Sequence, residues 1–407
     1  MNMPIEGGPL PGYPDVPYAQ SCSMDRCMAR AKEMMDWDSK YPCRDMGNGK
    51  VRGVGVAMAM QGSSIAGVDV GGADIKLNED GSYTLALGCT DMGTGCDTVM
   101  AQIAADCLNT PMDNIVVFSV DTDISPYDSG SYASATTYTT GVAVMKACEE
   151  LKKKICKLGA EMMEVDEGKV DFDGSCVFYD ETLEISDGAD GNAAGHMTDA
   201  EEGYSVDMDA ISSENAQKKV SLEDIALKST FFNNIELQVV KQHSSPISPP
   251  PFMVGMAEVE VDTETGSVDV LDYVAVVDCG TPINPNLARV QTEGGIAQGI
   301  GMALWEDVQY TDKGKIRNNS FMQYKIPTRQ DIGNIRVDFE CSYEKSGPFG
   351  AKSIGELVID TPCPALAEAI YNATGVRLTE LPMTPEKIAM EILKNRESIR
   401  SGTKVEE

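Results

Sequence analysis

Two segments of the chain alternate apolar and polar residues around a short turn. Residues 73–88 read ADIKLNEDGSYTLALG with turn residues at 78–81, and residues 257–276 read AEVEVDTETGSVDVLDYVAV with turn residues at 263–266. Successive side chains of a strand point to opposite faces, so this alternation predicts two β-hairpins. A further strand-like run begins near Val51.

Helical spacing of apolar residues appears in four places. Residues 24–37, MDRCMARAKEMMDW, form the first. Three more follow loops rich in glycine or hydroxyl residues, within 91–108, 128–155 and 284–307. Because each hairpin is followed by a glycine-rich segment and a helix, the pattern predicts an α+β fold with two similar sheet-plus-helix subdomains.

Proline-rich and acidic segments divide the chain. Residues 1–50 are predicted to be an extended arm and a helix that dock on a partner subunit. Residues 51–183 are predicted to form the first α+β cofactor-binding subdomain. The acidic stretch 184–220, poor in apolar periodicity, is predicted to be an excursion. Residues 221–407 would then form the second cofactor-binding subdomain with the catalytic loop.

The charge balance narrows the range of partners. The chain of 407 residues has 33 Lys and Arg against 64 Asp and Glu, a formal net charge of −31. Such an acidic surface disfavours nucleic acid and anionic membranes. There is no apolar run of about 18 residues and no basic-then-apolar leader at the N-terminus. We therefore expect a cytoplasmic protein; the alternative reading of the charge is a specific basic partner.

The chemistry-bearing residues are unevenly distributed. The twelve cysteines are scattered without a C-x-x-C spacing, so we expect no iron–sulfur cluster or zinc site in this chain and no metal held directly by it. The two histidines, His196 and His243, lie in an acidic and a proline-rich segment that give them no obvious partner. A base for neutral-pH chemistry would then be a carboxylate. Glu356 lies among small residues in GPFGAKSIGEL, and taken alone it is typical of a solvated loop carboxylate.

The three loops that precede helices suit a phosphate-bearing ligand. Backbone N–H groups at helix starts and clustered hydroxyls bind anionic oxygens. A tight turn or close helix packing is the alternative for each loop taken alone. Neither G-x-x-x-x-G-K-[ST] nor a strand-linked G-x-G-x-x-G occurs, so ordinary nucleotide folds are not indicated. Together the loops predict a large cofactor held mainly by backbone and hydroxyl groups.

Four segments, in this order, resemble a known family. TDMGTGCDT, SGSYASATTYTTGVAV, VVDCGTPINPNLARVQTEGGIAQGIGMAL and GAKSIGE are similar to the molybdenum-cofactor subunits of the xanthine dehydrogenase and aldehyde oxidase group. The resemblance runs from about residue 20 to about residue 395. It implies an α+β fold of the xanthine dehydrogenase molybdenum-binding type and a molybdenum hydroxylase or dehydrogenase.

The resemblance also implies roles for individual residues. Glu356 falls on the catalytic glutamate, and Thr94 stands where the family commonly has glutamine. An aromatic residue that stacks on the substrate in purine-hydroxylating relatives falls near Ser63, whose small size implies another substrate shape or an aromatic supplied by a partner. The cofactor-binding residues that the resemblance implies are Gly93, Thr94, Gly95, Ala133, Ser134, Thr136, Gln291, Lys352, Ser353, Ile354 and Gly355.

Cofactors and partners follow from the same resemblance. It implies molybdenum–molybdopterin, as the cytosine dinucleotide form with a terminal sulfido or selenido ligand. The family's molybdenum portion is about twice as long and carries a GGFGGK-type segment that this chain lacks. We therefore expect a second molybdopterin-binding subunit, a [2Fe-2S] subunit and an FAD subunit.

The implied reaction is hydroxylation of a small N-heterocycle, purine or nicotinate-like, with oxygen from water. A metal-bound hydroxide would lose its proton to Glu356 while hydride leaves to the sulfido or selenido ligand, and burial is expected to raise the pKa of that carboxyl into the useful range. An aldehyde substrate is the alternative within the family. A structural or assembly subunit, whose paralogue holds the metal, is the alternative outside it. Exact substrate, electron acceptor, terminal ligand, nucleotide form and stoichiometry are not specified by the sequence.

Overall fold

Two helix-covered sheets form most of the protein. The structure, a computed structural model, describes residues 9–10, 13–17, 21–182 and 218–401. The helices are α1 Met24–Met35, α2 Trp37–Lys40, α3 Cys96–Leu108, α4 Thr136–Met163, α5 Leu222–Leu227, α6 Pro285–Leu304, α7 Pro362–Thr374 and α8 Pro385–Ser401. The strands are β1 Pro9–Leu10, β2 Tyr13–Pro17, β3 Cys43–Gly47, β4 Lys50–Met60, β5 Gly71–Leu77, β6 Tyr83–Leu87, β7 Ile115–Ser119, β8 Val170–Phe172, β9 Cys176–Tyr179, β10 Lys219–Ser221, β11 Gln238–His243, β12 Phe252–Asp262, β13 Val268–Asp278 and β14 Asn334–Phe339.

The larger sheet has the order β14-β13-β12-β4-β3 and is covered on both faces. Helix α1 packs on one face through Cys27, Ala31 and Met35. Helices α6 and α7 pack on the other face. Because both faces are buried, residues 252–257 of β12 and 273–277 of β13 are continuously apolar, and the alternation is confined to the ends nearest the turn.

Strand β4 meets α7 at short range. A Cβ built on Gly55 would lie 2.2 Å from the carbonyl oxygen of Ala365 and 2.4 Å from the backbone nitrogen of Ala369. Only a residue without a side chain permits this approach of helix backbone to strand backbone. The glycine therefore sets the spacing between the sheet and the helix that follows the Glu356 loop.

The smaller sheet has the order β11-β5-β6-β7 and carries α3 and α4. The 28-residue α4 buries Ala143, Ala147, Leu151 and Ile155, a four-residue spacing that keeps one helix face on the sheet. Strands β8, β9 and β10 form a small third sheet beside the same helix. Both predicted hairpins are confirmed, as β5–β6 and β12–β13, and so is the α+β class.

Sheet membership crosses the boundaries that the sequence predicts. Strand β4 lies in the predicted first subdomain, yet it pairs along its whole length with β12 of the larger sheet. Strand β11 lies in the predicted second subdomain and pairs with β5 of the smaller sheet. The first half of the chain thus contributes β3 and β4 to the larger sheet, and the second half contributes β11 to the smaller sheet, long-range pairings that local patterns do not encode.

The segments outside the two sheets are partly described. In the N-terminal arm, β1 and β2 pair antiparallel. The excursion predicted at 184–220 lies outside the described residues up to 217, and β10 begins at Lys219. Among the residues described, no helix combines the length and apolarity needed to cross a membrane. The docking of residues 1–50 on a partner stays a prediction, while α1 itself packs on this chain's own sheet.

Candidate functional site

A cavity of about 230 Å³ lies where three helices begin. Its lining includes Cys96 at the start of α3, Thr136 and Thr137 at the start of α4, and Asn284, the N-cap of α6. The first turns of a helix present N–H groups without intrahelical partners and carry partial positive charge. Three such ends lining one cavity make a site for anionic oxygens that needs no positively charged side chain.

The first loop is held open by one aspartate. Asp91 Oδ1 accepts hydrogen bonds from the backbone nitrogens of Gly93 at 2.9 Å and Gly95 at 3.1 Å. Both glycines have positive φ, 106° and 74°. Thr94 between them lines the cavity. Gly95 packs on α6, where an added Cβ would lie 2.6 Å from Leu287, whereas Gly93 has open space in front of it.

The second loop reaches Glu356 through a hydroxyl. Ala133 and Ser134 both adopt left-handed conformations, with φ of 50° and 55°, which cost non-glycine residues energy. Ser134 Oγ accepts a hydrogen bond from the Glu356 backbone nitrogen at 2.9 Å and donates one to Glu356 Oε2 at 3.1 Å. The strained loop therefore holds the carboxylate. Ala133 does not contact Glu356 in this way; its carbonyl oxygen accepts a hydrogen bond from Ser64 N.

The loop with Glu356 is anchored from below by buried groups. Lys352 N donates to Cys279 O at the end of β13. Ser63, completely buried, accepts a hydrogen bond from Ser353 N and donates one to Ser353 Oγ, both at 3.0 Å. Ser63 thus supports the loop and does not line the cavity. The family resemblance, in contrast, places it in the substrate pocket.

Lys352 lines the first cavity, while its side chain is buried beneath the loop. Its side chain is 0% exposed, and its ammonium pairs with Asp278 Oδ1 at 3.1 Å, equally buried. The same ammonium donates to Ser342 Oγ and lies over the ring of Phe252. A cation engaged in this way is not available to a phosphate, so Lys352 can meet a ligand only through its backbone.

Glu356 stands at the wall between two cavities. It lines the first cavity with Ile354 and Gly355, and it also lines a second cavity of about 650 Å³. Gln61 Nε2 donates to Glu356 Oε2 at 2.7 Å, and Gln291 Nε2 donates to the carbonyl of Gly355 at 2.9 Å. The side chains that hold Glu356 and its loop come from the residue after β4, from the loop before α4 and from α6, which are distant in sequence.

The burial expected for Glu356 is not provided by the described part of this chain. Glu356 is exposed, although Leu357 and Val358 directly after it are buried. The short helical turn that follows, Leu357–Ile359, packs on α6 and fixes the backbone. The carboxylate is therefore held firmly in place while remaining open to whatever covers the site.

Gln61 and Asp360 belong to the site although the motifs did not single them out. Both line the second cavity with Glu356. Gln61 lies in the MQGSS stretch, two residues before Ser63, so the resemblance pointed to a neighbouring position. Asp360 follows Glu356 by four residues, and it had no signal beyond that spacing.

The remaining chemistry-bearing residues lie elsewhere or have other partners. His243 Nδ1 lies 2.9 Å from Lys146 Nζ and outside both cavities. Burial lowers the pKa of His243 to about 4, and the Lys146 charge contributes in the same direction. His196 lies outside the described residues. All twelve cysteines are unpaired thiols.

Comparison with known proteins identifies the family of this chain. Residues 30–333 match the model of the molybdopterin cofactor-binding domain, and the chain belongs to that family. It is 33% identical over 380 residues to the Escherichia coli (strain K12) protein named "Probable hypoxanthine oxidase XdhD", covering 92% of this chain and 35% of that protein. It is 28% identical to the xanthine dehydrogenase molybdenum-binding subunit of Escherichia coli O157:H7, covering 90% of this chain and 46% of that subunit.

A solved structure gives the same fold. Quinoline 2-oxidoreductase from Pseudomonas putida 86 superposes with a TM-score of 0.78 at 22% identity, covering 92% of this chain and 46% of that one. The chain therefore spans about a third to a half of the length of these relatives.

The residues of the first cavity fit a molybdopterin group. Ser131 Oγ lines the cavity and is buried without a hydrogen-bond partner in the described chain. The threonine hydroxyls at the start of α4 and the N–H groups of three helix ends supply further donors. A set of neutral donors without a free cation suits pterin and phosphate oxygens gripped at many points. Thr94, Ser134, Thr136 and Gln291 would hold the group, with the backbone of residues 352–355 along one wall.

Proposed function

We propose that this chain provides the Glu356 side of the active site of a molybdenum hydroxylase that oxidises a small N-heterocycle at carbon. One observation carries the proposal: Glu356, fixed by Gln61 and Ser134, forms the wall between a donor-lined cavity that fits molybdopterin and a second cavity large enough for a ring. The name of one relative, "Probable hypoxanthine oxidase XdhD", favours a purine within this class.

The chain's own groups then have defined tasks. When bound, the molybdenum group supplies the redox chemistry that hydroxylates the substrate carbon with oxygen from water. Gln61 and Ser134 both donate to Glu356 Oε2, so Oε1 is the atom that accepts the proton of the attacking oxygen. The Gln291 bond to the Gly355 carbonyl keeps the loop backbone in register with the first cavity. Proximity and fixed orientation are what this half of the site contributes.

Other proteins would complete the site. Because Glu356 is exposed here, we infer that a second molybdopterin-binding chain covers it, excludes water and raises the proton affinity of the carboxylate. Electrons would leave to a [2Fe-2S] subunit and an FAD subunit, since the scattered cysteines of this chain hold no cluster motif. The cytosine dinucleotide form and a sulfido or selenido ligand are part of the same proposal, and they rest on the family resemblance.

Replacing Glu356 by glutamine tests the proposal. The amide keeps the shape of the side chain but cannot accept a proton, so we expect kcat of the co-expressed complex to fall by about 10²–10⁴-fold. Molybdenum and pterin content should stay near the wild-type values, because the first cavity keeps its donors. Metal analysis and steady-state kinetics measure the two effects.

The matched control is Glu386→Gln, which makes the same change at an exposed site at the start of α8. It should leave both quantities unchanged. A Glu356→Gln complex that retains most of its turnover at saturating substrate would show that another group is the base. An active complex without molybdenum would instead favour the structural or assembly role for this chain.

A further inference from the structure

Two buried cysteines flank the loop that carries Gly93 and Gly95. Cys89 follows β6 and is 1% exposed, and Cys96 is the first residue of α3 and is 3% exposed. The two thiols are in hydrogen-bond contact. Only residues 90–95 lie between them in sequence, so this contact closes the base of the first loop. A change at either sulfur therefore acts on the loop.

The two thiols differ in access and in surroundings. Cys96 lines the first cavity, and its Sγ donates a hydrogen bond to Asp97 Oδ1 at 3.8 Å. A carboxylate in this position can accept the thiol proton when the sulfur reacts as a nucleophile. Cys89 lines neither cavity of the site, and its hydrogen bond with Cys96 and its burial raise the pKa of its thiol above the ordinary value. A small reagent in the first cavity thus meets Cys96 first, with Cys89 behind it as the resolving thiol.

A covalent bond between these sulfurs would change the shape of the loop. Sulfur atoms in hydrogen-bond contact must move closer to form a disulfide, which draws the end of β6 and the start of α3 together. Asp91, which holds the N–H groups of Gly93 and Gly95, lies inside the ring that the bond would close. Gly95 packs against Leu287 of α6, and Thr94 lines the first cavity. The distortion would therefore reach the cavity wall directly.

We propose that Cys89 and Cys96 are a peroxide-sensitive dithiol, which forms a disulfide while the first cavity is empty and then weakens binding of the molybdopterin group. The Cys96 thiol attacks one oxygen of hydrogen peroxide and becomes a sulfenic acid, with release of one water. The Cys89 thiol then attacks the Cys96 sulfur, and a second water leaves as the S–S bond forms. The two sulfurs together lose two electrons, which reduce the peroxide, and the two thiol protons leave in the water.

Occupancy of the first cavity and oxidation of the pair oppose each other. A group that fills the cavity covers Cys96 and closes the route by which peroxide arrives. If the disulfide weakens binding of the group, the bound group disfavours the disulfide by the same factor. Oxidation would then prevent the empty chain from loading while the loaded chain keeps its cofactor. The proposal rests on the first cavity holding the molybdopterin group, and not on the reaction proposed for Glu356.

Peroxide treatment of the co-expressed complex tests the pair. The complex is prepared loaded, and also cofactor-free from a host that cannot make molybdopterin. Cleavage before Asp80, Asp91 and Asp97 separates the two cysteines, so the disulfide joins peptides 80–90 and 91–96 in a non-reducing digest. Mass spectrometry should find the joined peptides in the cofactor-free complex and at most traces in the loaded one. Dithiothreitol should separate them again.

Reloading measures the consequence for the cofactor. The oxidised cofactor-free complex should bind cofactor extracted from the loaded complex at least about tenfold more weakly, measured as molybdenum content at graded cofactor concentrations. Dithiothreitol should restore binding. Cys96→Ala should abolish both effects of peroxide, whereas Cys89→Ala should accumulate a sulfenic acid on Cys96 that dimedone traps. The matched control Cys107→Ala, near the other end of α3, should retain the disulfide and the loss of binding.

Each outcome has a definite reading. Absence of the joined peptides from the cofactor-free complex after its other thiols are oxidised would overturn the inference. Equal yields in the loaded and cofactor-free complexes, or undiminished cofactor binding by the oxidised complex, would do the same. A disulfide with the expected loss of binding, in a complex whose loaded form hydroxylates no heterocycle, would overturn the proposed function and leave the dithiol standing.

Discussion

At the scale of single residues, the four glycines of α6 have different surroundings. A Cβ on Gly295 would lie 2.3 Å from Val358, one on Gly299 would lie 2.7 Å from Pro362, and one on Gly301 would lie 2.2 Å from Glu306. These three allow close packing. Gly294 meets nothing and faces the second cavity. The sequence shows four equivalent glycines, and only their neighbours distinguish the one that faces a ligand.

We expect Gly294→Ala and Gly295→Ala to have opposite effects on stability. Alanine at Gly294 removes the helix cost of glycine, so the free energy of unfolding should rise by about 0.5–1 kcal/mol, while ligand binding in the second cavity weakens. Alanine at Gly295 should lower the free energy of unfolding because its Cβ overlaps Val358. Denaturant unfolding of both variants measures the free energy of unfolding, and equilibrium dialysis with hypoxanthine measures ligand binding. Unchanged ligand binding in the stabilised Gly294→Ala protein would show that the glycine does not face a ligand.

At the scale of elements, one buried ion pair joins the Glu356 loop to the larger sheet. Asp278 ends β13 and accepts hydrogen bonds from Ser23 N at 2.8 Å and Ser342 Oγ at 2.7 Å in addition to its pair with Lys352. Ser23 is the residue before α1. The start of α1, the end of β13 and the Glu356 loop therefore meet at one carboxylate. A change in this pair should alter loop position as well as stability.

Replacing Lys352 by methionine should therefore strongly lower the stability of the protein. It leaves the Asp278 charge buried without its partner, a loss of about 3–5 kcal/mol in the free energy of unfolding. Adding Asp278→Asn removes that stranded charge, so the double variant should recover part of the loss. Chemical denaturation of the single and double variants completes the cycle. A Lys352→Met protein as stable as wild type would mean that the ammonium is not buried in this pair.

At the scale of the whole molecule, several large apolar side chains are exposed. Between α6 and β14 the chain runs through residues 305–333 with little regular structure, and Phe321 is 82% and Met322 85% exposed. Met92, in the first cofactor loop, is 64% exposed. Exposed apolar groups of this size are expected on a surface that the covering chain proposed above would bury. The exposed position of Glu356 agrees with such a cover.

We expect the chain produced alone to be inactive and prone to association, even when cofactor is supplied. The covering interface should have the size of an obligate one, about 2,000–5,000 Å². Size-exclusion chromatography with an activity assay, on the chain alone and on the chain co-expressed with the second molybdopterin-binding chain, compares the two states. A stable, cofactor-loaded and active monomer would contradict the division of the active site between chains.

The local patterns of the sequence were sufficient for part of the elements. Both hairpins, α1 and the three helices after the loops were predicted, because strand alternation, helical spacing and turn residues act over a few neighbours. Glu356 was assigned as the catalytic candidate through the family resemblance carried by the four short segments, since its own neighbours are equally typical of a solvated loop carboxylate. The glycine and hydroxyl residues of the loops were likewise recognisable within short segments of the sequence.

Tertiary structure alone decided how these elements share their contacts. Gln61 and Glu356 are 295 positions apart, and Ser63 and Ser353 are 290 apart, so no local pattern relates them. The exchange of β4 and β11 between sheets and the inward turn of the Lys352 ammonium depend on which faces remain to be buried after the sheets pair. A buried charge takes the partner that the fold brings to it, because desolvation makes an unpaired charge too costly. The sequence determined which groups are present, and packing determined which of them face a ligand.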